Sequence, residues 1–349
     1  MMMTSTQFTA SNPPTAMPTR PGMPDEGHAH SRTWMAFGAS QAIWGSMLAA
    51  VQTQLASVAN TIARFESVSM LVRPSEMALA RRLCHPDVEL HACAMDDIWM
   101  RDSGPCFVRQ PDGEVIALDF NFNGWGHKQT HKHDQRVAAQ TAKLAGVKLK
   151  RCNLVLEGGA IEVDGVGTAL MTESSILNEN RNPGMSKQTA ENRLKSLLGL
   201  EKIIWLPGIR WHDITDAHID FYARFVTPGV VLVHLEPTAS SYVHAMTLRH
   251  LDILRQAQDA RGEPLKIVLL EAPSTIRQEF KNEHFAAGYL NFYLPKGALI
   301  VPEFGDKKAD ENARQILQQL YPDREIVQVN IDCIASGGGG IHCITQQQI

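Results

Sequence analysis

Along this chain, short apolar runs rich in β-branched residues alternate with stretches of helical period. Val68 to Val72, Val88 to Ala94, Val115 to Phe122, Val230 to Leu235, Ala298 to Pro302 and Ile326 to Ile331 each lie between polar, Gly or Pro punctuation and predict strands. Asn153 to Leu170 predicts a hairpin, because Asp164-Gly165 sets a turn signal between two apolar runs. Helices are predicted over Ala42 to Phe65, His133 to Leu144, Ser186 to Leu198, Ala245 to Asp259 and Lys308 to Tyr321. In the last, Ala313, Ile316, Leu317 and Leu320 recur at i, i+3, i+4 and i+7 and define one buried stripe, and Gly199 is placed to stop the third. Several strands per helix give a mixed α/β class, unlike the one-strand, one-helix alternation of doubly wound sheets or (β/α)8 barrels.

A chain of 349 residues, 44% of them hydrophobic, can bury a large core. No low-complexity linker interrupts residues 23–349, which read as one domain. Residues 1–22, MMMTSTQFTASNPPTAMPTRPG, are rich in Thr, Ser and Pro and have no apolar core, so they predict a disordered leader, neither a signal peptide nor a membrane span. A net charge of −4 leaves no basic surplus for phosphates or an anionic membrane, which directs attention to a small cationic partner. The six cysteines, Cys84, Cys93, Cys106, Cys152, Cys333 and Cys343, form no CxxC pair or dense framework, so they read as reduced thiols of a cytoplasmic protein. Oligomeric state is not set by the sequence, and a homo-oligomer stays open.

Four clusters gather charge and glycine where predicted core strands end. DDIWMRDSGP places Trp99, Arg101 and Asp102 before a Gly-Pro turn; LEGG places Glu157 at the end of an apolar run; HDITDAHID spans His212 to Asp220; and GGGGIHCITQQ carries Cys343 close to the C-terminus. A free cysteine is most often a small core residue. A glycine run beside it changes the balance, since backbone N–H groups that converge on an anion stabilise a thiolate. His342 alternates with Cys343 and is not assumed to be a base.

In a strand, Asp216, His218 and Asp220 share one face, opposite Ala217, Ile219 and Phe221. That face has two readings: metal ligands, or a base flanked by carboxylates. DAHID resembles the D-A-H-x-D element of the manganese ureohydrolases, although no GGDH segment and no S-x-D-x-D stretch followed by Asp-Pro accompanies it. Trp99 and Trp125 are core aromatics or walls that stack on a flat cation.

Placed in one pocket, Asp102, Asp220 and Glu157 suit a guanidinium, whose planar fork pairs with carboxylates. Two carboxylates pin its N–H groups and leave its carbon open to the Cys343 thiolate, and His218 protonates the departing nitrogen before activating a water. The products are a ureido group and ammonia, and no metal or organic cofactor is required.

Taken together, WMRDSGP, LEGGAIEVDGVGT, TDAHID, NFYLPKGALIVPEFGD and GGGGIHCITQQ resemble the agmatine deiminase and bacterial-type peptidylarginine deiminase family of the guanidine-modifying, or pentein, superfamily, over nearly the whole chain from Met23. The resemblance implies an α/β propeller with pseudo-five-fold symmetry around a central active site. It implies Cys343 as nucleophile, His218 as general acid/base, Glu157 as the acid that orients the histidine, Asp102 and Asp220 as guanidinium-binding carboxylates, and Trp99 and Trp125 as channel aromatics. The implied reaction is hydrolysis of agmatine to N-carbamoylputrescine and ammonia, feeding putrescine synthesis. Arginine in peptides is the alternative substrate, and a metal-dependent ureohydrolase the alternative enzyme.

Three positions depart from the family pattern. Gly27 follows Met23-Pro24-Asp25-Glu26 where an aromatic is usual, Gly38 stands in Trp34-Met35-Ala36-Phe37-Gly38 where Pro is usual, and Ala217 stands before His218 where Gly is usual. These put substrate shape in question and leave the reaction type intact.

Overall fold

The structure, a computed structural model, describes residues 20–349. Most of the expected leader, residues 1–19, lies outside the described residues. Its last residues are pinned: the Arg20 guanidinium is 2.5 Å from Glu201, and Gly22 bridges Arg109.

The chain repeats one motif. It opens with β1 (Arg32–Phe37), the helix Leu48–Ile62, β2 (Val68–Val72), the helix Met77–Leu83 and β3 (Val88–Ala92). There follow β4 (Cys106–Arg109), β5 (Val115–Asp119), the helix Val137–Ala145 and β6 (Lys148–Arg151). Next come β7 (Glu162–Val163), β8 (Thr168–Thr172), the helix Lys187–Leu198 and β9 (Lys202–Leu206). The same order returns in β10 (Ala223–Thr227), β11 (Val230–Leu235), the helix Tyr242–Gln256 and β12 (Lys266–Glu271). It returns again in β13 (Ala298–Glu303), the helix Lys307–Leu320 and β14 (Glu325–Asn330), before β15 (Thr345–Gln348) closes the chain.

Pairing makes the repeat explicit. β4 with β5, β7 with β8 and β10 with β11 are antiparallel hairpins, and β5 with β6, β8 with β9 and β11 with β12 are parallel across a helix. β13 and β14 are parallel, and a Tyr293–Ile300 bridge stands where the hairpin partner would be. The remaining unit joins the two ends of the chain, since β15 lies antiparallel to β1, which is parallel to β2. The result is a mixed α/β fold of five small sheets.

Local chemistry explains the helices. Ser186 caps Lys187–Leu198 by accepting from the Thr189 N–H, Ala190, Leu194 and Leu198 bury one stripe, and Gly199 ends it at φ +69°. Asp306 caps Lys307–Leu320 in the same way, with Ala313 and Leu317 buried. The predicted Ala42–Phe65 helix is broken: Gly45 (φ +49°) separates Gln41–Trp44 from the helix Leu48–Ile62. The predicted Asn153–Leu170 hairpin is short, with Glu162 facing Leu170, and the residues before it form a loop and a tight turn. Among the described residues, no helix is long and apolar enough to cross a membrane.

In each unit, the segment entering the first strand carries chemistry. These segments are Trp99–Ser103 before β4, Glu157–Ala160 before β7, His218–Tyr222 before β10, Asn291 before the Tyr293 bridge, and His342–Cys343 before β15.

Candidate active site

The glycine run leading to Cys343 passes over two indole rings. A Cβ on Gly337 would lie 2.2 Å from Cη2 of Trp44, and one on Gly339 2.4 Å from Cζ3 of Trp99, so neither position tolerates a side chain. A Cβ on Gly340 would meet Oδ1 of Asn291 at 2.6 Å. Steric approach is the first reason for these glycines. The Gly340 N–H lies close enough to the sulfur to favour its thiolate form. The Cys343 sulfur lies 3.4 Å from Asn291 Oδ1 and 3.7 Å from Asp220 Oδ2. Burial, then the Asp220 and Asp102 carboxylates, push the thiol well above its ordinary pKa.

His218 is not on a strand. It is the N-cap of the short helix Ile219–Tyr222, after Asp216 and Ala217 at φ +62° and +72°. The predicted shared face of Asp216, His218 and Asp220 therefore does not exist. Asp216 turns away: its carboxylate receives the Trp211 N–H at 2.7 Å and the Arg181 guanidinium at 2.7 Å, with the Lys128 ammonium at 2.8 Å. The two carboxylates of DAHID thus serve different partners and do not converge as metal ligands would.

The His218 ring is buried, with Nε2 3.2 Å from Glu157 Oε2. Glu157 is held in turn by the Arg181 Nε–H at 2.8 Å. Among the described residues Nδ1 has no hydrogen-bond partner, and it stands 3.8 Å from Asp102 Oδ1, too far for a hydrogen bond. Burial opposes charge on this ring, but Asp102, Glu157 and Asp220 outweigh it and raise its pKa to about 9. Glu157 stays below its ordinary value, since Arg181 and His218 overcome its burial.

Asp102 receives the Gly159 N–H at 3.1 Å on one oxygen and the Trp125 indole N–H at 2.9 Å on the other. Gly159 is required here, because a Cβ would sit 2.6 Å from His218 Nδ1. Burial, and the neighbouring Glu157 and Asp220, raise the Asp102 pKa against the pull of His218. Asp220 is buried too, but hydrogen bonding to His342 Nδ1 at 2.7 Å holds it below the ordinary range.

A cavity of about 850 Å³ brings together Cys343, His218, Asp220, Trp99 and Asn291. Trp99 lines it, its N–H bound to Asp97 Oδ2 at 2.9 Å, and Trp44 donates to the other Asp97 oxygen at 2.7 Å. Trp125 does not line it; its ring acts through Asp102. Asp102 and Glu157 stand at opposite ring nitrogens of His218, 3.8 Å from Nδ1 and 3.2 Å from Nε2.

Sequence reasoning missed Asn291, Arg181 and Glu26. Asn291 sits in the quoted NFYLPKG stretch, but nothing in its spacing marks an amide beside the sulfur. Gly38 is also explained: its Cα packs so tightly on the Asp97 carbonyl that a Cβ would lie 2.1 Å away.

The Porphyromonas-type peptidyl-arginine deiminase family matches residues 22–348. A curated relative from Streptomyces coelicolor is 40% identical over 334 residues, covering 93% of this chain and 98% of its own. The agmatine deiminase of Stutzerimonas stutzeri is 34% identical over 359 residues, covering 96% and 97%. The solved agmatine deiminase of Enterococcus faecalis superposes with a TM-score of 0.88 at 30% identity, covering 94% of this chain and 95% of its own.

Proposed function

The chain belongs to the Porphyromonas-type peptidyl-arginine deiminase family, and from that premise we propose that it is an agmatine deiminase, hydrolysing agmatine to N-carbamoylputrescine and ammonia. The observation that carries the mechanism is His218: a buried, charged imidazole with one nitrogen held by Glu157 and the other left unpartnered beside Asp102.

In the empty site the thiol is protonated, because burial and two carboxylates disfavour a third negative charge. A guanidinium bound between Asp102 and Asp220 offsets the negative charge that holds the thiol protonated, and Cys343 releases its proton to solvent. The thiolate attacks the guanidinium carbon and forms a neutral tetrahedral adduct. His218 Nδ1–H protonates one amino group, the C–N bond breaks, ammonia leaves, and a thiouronium remains on sulfur. Neutral His218 then takes a proton from water as the oxygen bonds to carbon. Collapse of this second adduct breaks the C–S bond and gives the ureido product, the hydroxyl proton passing to the departing sulfur and restoring the thiol, while the released ammonia takes up the proton lost at the start and ends as ammonium. Every step uses this chain's own residues.

Three β-β-α-β units, a fourth whose first strand is reduced to the Tyr293–Ile300 bridge and a fifth completed by β15, each supplying one segment to the site, support a pentein-type propeller with pseudo-five-fold symmetry. Six free cysteines support a reducing, cytoplasmic setting, and the product fits putrescine synthesis. Purified protein with agmatine and excess EDTA tests the reading. Ammonia with N-carbamoylputrescine in equal amounts is expected; urea instead would overturn it.

A further inference from the structure

Behind Asp220 lies a second buried charged cluster that the mechanism does not use. His342, 2% exposed, has Nδ1 2.7 Å from Asp220 Oδ2 and Nε2 2.9 Å from Glu26 Oε2. Glu26 is itself clamped: Arg101 lies 2.9 Å from one oxygen, and Arg224 at 3.0 Å and the Leu294 N–H at 3.1 Å contact the other. Arg224 also pairs with Glu162 at 2.8 Å. Arg101 Nε donates to the His342 carbonyl at 3.2 Å, so the guanidinium that fixes Glu26 also fixes the backbone entering Cys343.

This arrangement has a consequence for Asp220. An ionised carboxylate only accepts, so a ring with a carboxylate oxygen at each nitrogen is placed to donate through both. Glu26, Glu162 and Asp220 thus face Arg101, Arg224 and the His342 ring in one buried, hydrogen-bonded cluster, as buried charge requires. Oδ2 of Asp220, which accepts from His342, is also the oxygen 3.7 Å from the Cys343 sulfur.

We propose that His342 is a positioning residue for substrate recognition: its Nδ1–H fixes the Asp220 carboxylate in the orientation that meets the guanidinium beside Cys343, and Glu26 holds the ring in that pose. His342 touches neither the substrate nor the reacting carbon. The two nitrogens have separable duties, Nδ1 to the carboxylate that binds substrate and Nε2 to the frame. The inference rests on the reading that the cavity takes a guanidinium or amidinium, without needing agmatine to be the natural substrate.

Two substitutions separate these duties. An Asn amide nitrogen falls near the position of Nδ1 and a Gln amide nitrogen near that of Nε2, so His342→Asn keeps the donor to Asp220 and His342→Gln does not. Alkylation of Cys343 is followed by intact mass with two reagents, cationic chloroacetamidine and neutral iodoacetamide. For His342→Gln, the cationic-to-neutral rate ratio is expected to fall at least about tenfold, the loss of one hydrogen bond to a charged group. For His342→Asn it stays within about threefold of wild type. Agmatine turnover by the same proteins should show the Gln variant's loss mainly in KM. An unchanged ratio in His342→Gln overturns the proposal, as does an equal fall in both variants, which would make His342 a frame residue only. The ratio reports whether or not agmatine is turned over, so wild type that is inert to agmatine but alkylated selectively by the amidine would sink the substrate reading and leave this one standing.

Discussion

Two buried histidines stand beside the same cysteine, and they are held in opposite ways. His342 has a carboxylate at each ring nitrogen and sits in a cluster whose charges close on themselves. His218 has Glu157 on one side and no partner on the other, although Asp102 raises its pKa from 3.8 Å away. A satisfied imidazole fixes its surroundings. One left with an unused N–H in a low-dielectric site has a proton to give, and the reacting nitrogen completes it. The two aspartates differ in parallel: Asp220, hydrogen-bonded to the His342 ring, is held below the ordinary carboxylate range, whereas Asp102, bound by a peptide and an indole, is pushed upward.

The contrast can be broken from its reactive side first. Cys343→Ser should lower turnover by at least about 10⁴-fold with the melting curve unchanged, and ammonia release near wild type would remove the nucleophile from the scheme. Glu157→Gln should cost roughly 10²-fold to 10⁴-fold in kcat, since it unseats the His218 proton, while KM for agmatine moves little. That variant also leaves Arg181 with one buried partner fewer, so a drop in melting temperature accompanies it.

The pH profile sharpens the same comparison. The resting site carries a thiol and a protonated His218, and attack needs the thiol proton gone while the histidine keeps its own. Log kcat/KM should therefore climb with unit slope as pH rises and stop climbing near the His218 value of about 9, where the general acid begins to lose its proton. A flat profile from pH 6 to 9 would mean that the thiolate is already formed in the free protein.

Trp125→Phe removes one donor from Asp102 and keeps an aromatic ring edge-on to Phe122. Agmatine KM is expected to rise roughly tenfold, whereas a tryptophan acting only as packing would leave it in place. The smallest effect is at Ala217. Its φ of +72° is costly for a residue with a Cβ, so Ala217→Gly should raise stability by about 1 kcal/mol in chemical denaturation without slowing turnover.

Much of the site was legible because its residues cannot be replaced by others of similar hydropathy. A thiol after four glycines, a carboxylate before Gly-Gly and a histidine between carboxylates are rare combinations, and their joint order along the chain suffices to assemble a list. The error at TDAHID came from reading alternation as a strand. Left-handed Asp216 and Ala217 break the period, and nothing in their side chains announces it. Several strands were missed for a related reason: β4, β6 and β15 span four residues each, too short for a period to register.

The sequence by itself determined the mixed α/β class, five long helices and the chemical groups of the site, because hydrophobic period and residue type are local properties. Only the tertiary structure decided the partners. That Arg181 holds Glu157, that Glu26 reaches His342 from 316 residues away in the chain, and that Asp216 leaves the site while Asn291 enters it depend on how five units converge. Charge pairing inside a protein is set by distance and burial, and neither is written in the spacing of residues along the chain.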